Sequence, residues 1–210
     1  MAITQQSLQT ALTRANTRMQ TLGDTLNAAD AKLGDGDTGT MLSRLIGTFA
    51  AVDIAETPDL GAAFIALAKA GTSATGSSLG TLIIGAMMTS GKFCANQQAL
   101  DWGQLAPMLR TIRDGAMARG KAELGAKTII DALDALAISL DGLSDPAEMA
   151  TAANAAMEDV LNTFRNRPCT MGRARMFAEK SIGLDDPGML ALAELVWAVT
   201  GVHSASPGRT

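Results

Sequence analysis

The chain has no tyrosine, five phenylalanines, two tryptophans, two cysteines and a single histidine in 210 residues. Each scarcity removes a class of function. So few aromatic rings leave no stacking platform for single-stranded nucleic acid. A net charge of −4, a pI near 5.0 and the lack of any basic run argue against a nucleic-acid surface. Cys94 and Cys169 stand in unrelated contexts, giving neither a disulfide framework nor zinc-ligand spacing, as suits a reducing compartment. His203 lies among Ser, Pro and Gly near the end of the sequence, so no Ser-His-Asp or Cys-His constellation can be assembled. The first residues carry neither the basic start nor the apolar run of a signal peptide. The apolar stretch from Leu79 to Met88 is too short to span a bilayer. The expectation is a cytoplasmic protein without a membrane or nucleic-acid partner.

What remains is rich in core-forming residues. At 47% hydrophobic the chain can bury a substantial interior, and 210 residues suit one domain covering 1–210. Apolar residues recur at helical spacing and strand-like alternation is nearly absent. Helices are expected from Ser7 to about Ala28, Gly39 to Ala51, Pro58 to Ala70, from Leu79, Asp101 to Arg119, Ala126 to Leu140, Pro146 to Phe164, and Met189 to Val199. A short helix is expected between Arg173 and Lys180. About eight helices with short links predict an all-α, single-domain antiparallel barrel or bundle, with glycine-containing breaks gathered at one end.

Chemistry concentrates between Ala29 and Arg44, where Asp30, Asp35 and Asp37 fall within eight residues. Two carboxylates about 4 Å apart repel by roughly 4 kcal/mol at an effective dielectric of 20, so a third favours a bound cation. Hard oxygen donors without Cys or His point to Mg²⁺ or Ca²⁺. An EF-hand is excluded, because Thr40 and Ile46 stand where that loop needs Gly and Glu. The loop runs into a helix that Asp37, Thr38 or Thr40 is able to cap, and freed N–H groups there favour an anion. Asp-Gly-Asp-Thr-Gly is equally good turn chemistry on its own.

Two other stretches bear on phosphate. Gly115 to Ala122, G-A-M-A-R-G-K-A, misses a P-loop by its last residue and lacks the preceding strand, so it reads as coincidence. Ala74-Thr75-Gly76-Ser77-Ser78 offers hydroxyl and backbone donors, or simply caps the next helix. Arg173 and Arg175 suit either phosphate or a solvated surface.

Several motifs in order resemble one family across nearly the whole chain. They are Asp30-(x)₄-Asp35-x-Asp37-x-Gly39, Arg113 to Ala116 (R-D-G-A), Arg119 to Glu123 (R-G-K-A-E) and Gly125 to Thr128 (G-A-K-T). Gly172 to Ala174 (G-R-A) and Glu179 to Gly188 (E-K-S-I-G-L-D-D-P-G) complete the set. Together they resemble the nucleotide-binding (L) subunit of dihydroxyacetone kinase. The resemblance implies an eight-helix barrel with ADP or ATP bound at one end. It implies that Asp30, Asp35 and Asp37 form the catalytic centre by holding two Mg²⁺ ions that bridge the phosphates. Thr38, Gly39, Thr40, Met41, Ala74, Thr75 and Gly120 would line the phosphate and ribose region. Ile129, Arg173, Asp186, Pro187 and Gly188 would complete the nucleotide pocket. The implied substrate is dihydroxyacetone or a similar small ketose on a separate K subunit. A phosphotransferase-system protein is the implied donor in some relatives. A nucleotide-binding regulator of a transcription factor, or the nucleotide domain of another kinase, is the alternative.

Overall fold

In the computed structural model, which describes residues 2–201, eight α-helices follow one another with short connections. They are α1 (Gln5–Asp30), α2 (Thr38–Ala50), α3 (Leu60–Gly71), α4 (Ser78–Phe93), α5 (Leu105–Gly120), α6 (Ile129–Ser139), α7 (Pro146–Arg165) and α8 (Pro187–Thr200). His203 lies outside the described residues. No helix among those described is long and apolar enough to cross a membrane.

Local chemistry sets the starts. Thr4 and Ser7 form a reciprocal capping box at α1, Asp59 accepts from Ala62 N at α3, and Ser77 accepts from Gly80 N at α4. Asp145 and Asp186 each cap a helix whose first residue is proline, which has no N–H to leave unsatisfied. Several boundaries differ from the periodicity reading: α5 starts at Leu105 after a 3₁₀ turn rather than at Asp101, and α8 starts at Pro187 rather than Met189. α3 starts after Asp59 rather than at Pro58, and α6 starts at Ile129 rather than Ala126. In both cases the capping side chain, not the first apolar residue, sets the end. The expected helix between Arg173 and Lys180 is instead two 3₁₀ turns, 173–177 and 179–181. A short antiparallel pairing of β1 (Ala2–Thr4) with β2 (Ala99–Asp101) was also not foreseen, being only three residues on each side.

Successive helices pack antiparallel, and α8 returns onto α1 to close the ring. Leu22 and Leu26 of α1, Leu45 and Phe49 of α2, Leu67 of α3, Ile112 of α5, Leu136 of α6, Met157 of α7 and Trp197 of α8 join one buried cluster, against which Ile83 and Met87 of α4 pack. The α1–α2 hairpin is drawn tight where its loop begins. A Cβ on Gly39 would overlap the carbonyl oxygen of Gly23, so only glycine admits this approach. Strict alternation of direction puts the ends of α1, α3, α5 and α7 and the starts of α2, α4, α6 and α8 at the same end of the ring.

Candidate metal centre and cleft

That shared end carries an open cleft of about 560 Å³. Its lining comes from the end of α1 (Asp30, Leu33), the starts of α2 (Thr38), α4 (Ser77 to Leu79), α6 (Thr128 to Ile130) and α8 (Asp186 to Gly188), and the end of α5 (Arg119, Gly120). Four helix starts therefore face one space, each bringing the positive end of a helix dipole to it. Met171, Gly172 and Ala174, also in the lining, come from the connection between α7 and α8.

At one edge, oxygen atoms of Asp30, Asp35 and Asp37 all lie within 4.8 Å of one another. Asp30 is buried as the last residue of α1, while Asp35 and Asp37 are exposed. The Asp30 Oδ2 atom accepts from the backbone N–H groups of Gly36 (3.0 Å), Asp37 (3.0 Å) and Thr38 (3.3 Å). One carboxylate thus shapes the loop that carries the other two, which Gly36 completes at φ +78. Asp37 occupies the N-cap position of α2 but makes no capping hydrogen bond. A carboxylate that makes no cap bond, beside two more carboxylates, is the donor chemistry of a hard divalent cation. The residues present fit Mg²⁺.

The expected anion site at the start of α2 is largely taken. Thr38 N donates to Asp30 and Thr40 N donates to Asn27 Oδ1 at 3.0 Å.

The remaining sequence-named residues divide clearly. Thr38, Gly120, Ile129, Asp186, Pro187 and Gly188 line the cleft with Asp30. Gly39, Met41 and Ala74 are buried instead. Met41 belongs to the core, and the Ala74 carbonyl accepts from Arg44 Nε. Thr40 pairs with Asn27, and Thr75 Oγ1 accepts from Ser77 N within the loop before α4. Arg173 stands in the first 3₁₀ turn, between the lining residues Gly172 and Ala174. Sequence reading missed Arg119, which lies over Gly85 of α4, and the apolar wall of Leu79, Leu82 and Met171. It also missed Asp131, which accepts from Gly125 N and Thr128 N and so shapes the loop before α6. The T-x-x-D spacing at Thr128 to Asp131 was the available signal. The P-loop look-alike is the end of α5, with Lys121 as a left-handed cap at φ +49.

Asp186 is the cleft's most perturbed acid. Burial of its carboxyl pushes its pKa up to about 6, against the pull of the Met189 and Gly188 N–H groups and of Lys127, with Asp131 adding to the rise. The folded state then holds the proton more tightly than the unfolded chain, so this group's penalty is absent below about pH 4 and complete above about pH 6. A shift of about two units corresponds to roughly 3 kcal/mol. Asp186→Asn keeps a capping oxygen for α8. Wild-type stability, measured against this variant by denaturant unfolding, is expected to rise by that order between pH 7 and 4. A difference that stays flat across the range would contradict the assignment.

A model of the DAK2 domain matches residues 32–201. The chain belongs to the DAK2-domain family. It is 32% identical over 195 residues to the L-erythrulose kinase of Pectobacterium atrosepticum, covering 88% of this chain and 32% of that protein. It is 29% identical over 211 residues to the ADP-binding subunit DhaL of the PEP-dependent dihydroxyacetone kinase of Escherichia coli, covering 92% and 99% of the two chains. This DAK2-domain chain thus spans about a third of the erythrulose kinase and nearly all of the DhaL subunit. The crystal structure of native dihydroxyacetone kinase from C. freundii superposes with TM-score 0.70 at 26% identity, over 92% of this chain and 34% of that one. The all-α ring is therefore an architecture this family shares.

Proposed function

We propose that the chain is the Mg²⁺- and nucleotide-binding subunit of a dihydroxyacetone-type kinase. The γ-phosphoryl group passes to a hydroxyl of dihydroxyacetone, or of a similar small ketose such as erythrulose, presented by a K subunit. The observation that carries this reading is the triad of carboxylates at the edge of a cleft ringed by four helix starts. Asp30, Asp35 and Asp37 would hold two Mg²⁺ ions, which would offset charge that develops during transfer. The chain's own part is positioning. Asp30 fixes the loop so that Asp35 and Asp37 present their oxygens together. Arg119, exposed at the end of α5, offers the cleft a cation, and the apolar residues Leu79, Ile129 and Pro187 suit a purine. The matches to a PEP-dependent and a PTS-dependent DhaL subunit support a phosphotransferase-system protein as the donor that recharges bound ADP.

Metal and nucleotide then depend on each other. At a ligand concentration a hundred times the dissociation constant, stabilisation should approach 2.7 kcal/mol, on the order expected for one site. Thermal melts with ADP and Mg²⁺ are expected to show it, and melts with ADP and EDTA to lose most of it. Equal shifts under both conditions would refute the reading.

A further inference from the structure

Lys127 is a cation in an unusual place. It is 1% exposed, and its backbone sits in the left-handed region at φ +61, a conformation disfavoured for a residue with a side chain. Its ammonium donates to three backbone carbonyls: Arg165 O (3.1 Å), Arg167 O (2.9 Å) and Ser181 O (2.7 Å). An ammonium has three donors, so all of them are used. Burial lowers its pKa, the expected cost of sinking an ammonium among neutral acceptors.

Those three carbonyls mark the neck of the loop between α7 and α8. Arg165 O also accepts from Gly183 N at 2.8 Å, and the Arg165 guanidinium forms a two-pronged pair with Asp185 at 3.0 and 2.9 Å. Inside the neck, Cys169 N donates to Ser181 Oγ, and Thr170 N donates to Ala126 O. The loop so closed delivers Met171, Gly172 and Ala174 to one wall of the cleft. On the other side of Lys127, the chain runs directly into Thr128, Ile129 and Ile130 of another wall. One side chain therefore ties together two adjoining segments, the stretch entering α6 and the 166–183 loop, that both line the cleft.

We propose that Lys127 is a positioning residue for nucleotide binding: by plugging the neck of the 166–183 loop it fixes the wall that closes over the base. The inference rests on the nucleotide-site reading, and it assigns Lys127 no contact with the phosphates or the metal. Its consequence is selective. Loosening the neck weakens ligands that carry a base and spares those that engage only the carboxylate edge.

The test compares Mg²⁺-ADP with Mg²⁺-pyrophosphate by calorimetry, using the full chain and its Lys127→Met variant, which keeps an unbranched side chain one atom shorter and has no donors. ADP affinity is expected to fall at least about tenfold, and pyrophosphate affinity to stay within about twofold. Trypsin should also cut faster at Arg167, Arg173 or Arg175 in the variant. Wild-type protein that binds neither ligand would overturn the nucleotide reading itself. Wild-type binding with both affinities falling equally in the variant, or neither falling, would overturn the Lys127 inference alone. Should Lys127→Met fail to fold, Ser181→Ala removes only the hydroxyl that braces Cys169 inside the neck. It is expected to give the same split at about threefold, and the absence of any split would count against the proposal.

Discussion

Asp35→Asn and Asp37→Asn are each expected to lower phosphoryl transfer by roughly a hundredfold or more while leaving the ligand-free protein folded. Asparagine keeps the shape and a carbonyl oxygen but removes one charge from a cluster whose oxygens lie within 4.8 Å of one another. Metal-assisted charge stabilisation is worth several kcal/mol, and each 1.36 kcal/mol is about a factor of ten in rate. Ligand-free stability should hold or rise. The relieved repulsion lies between about 1 kcal/mol in water and about 4 kcal/mol at an effective dielectric of 20, and exposure of both residues favours the lower figure. Nor is a helix cap lost at Asp37, whose side chain makes no such bond. Rates with saturating Mg²⁺ and a denaturant melt of each ligand-free variant are the measurements. Variants that unfold, or that turn over normally, would make the carboxylate cluster a structural turn.

The purified chain is also expected to leave free dihydroxyacetone essentially unphosphorylated in ATP and Mg²⁺ until a K subunit is added. No histidine occurs among the described residues, and the cleft offers carboxylates, Arg119 and hydroxyls but no paired nucleophile and base. A loose phosphoryl-transfer transition state asks mainly for alignment. Alignment of two reactants can be worth about 7–11 kcal/mol, and here the partner would supply it by holding the sugar at the cleft. A coupled assay for triose phosphate, run before and after adding the K subunit, measures the difference. Robust turnover by the chain alone would require a sugar site within this protein and would end the subunit reading.

The parts of the molecule that were legible in the sequence are those set by nearby residues. Helical periodicity locates all eight helices because each buries one apolar stripe, and Asp145-Pro146 announces the start of α7. The carboxylate cluster is legible because three aspartates fall within eight residues. Met41 shows the limit of that reasoning. It follows the acidic loop directly, yet its helical spacing to Leu45 turns it into the core. Lys127 shows the other limit. Its acceptors lie at residues 165, 167 and 181, and nothing in Gly-Ala-Lys-Thr indicates that a lysine goes inside. Long-range satisfaction of a buried charge has no local sequence signature. The apolar wall from Met171 escapes for the same reason, since 3₁₀ turns have too little periodicity to read.

The closed up-and-down ring has a consequence for how this chain can be joined to anything else. α1 begins, and α8 finishes, at the end of the ring opposite the cleft, where β1 is stapled to β2. A sugar-presenting domain fused through either of those ends starts out on the wrong side. It must travel the length of α8, 14 residues or about 21 Å, before it can meet the phosphates. Six or seven extended residues are about the shortest tether that covers this distance. Tags and surface attachments gain from the same geometry, because anchoring the protein by its amino-terminal strand leaves the cleft facing outward.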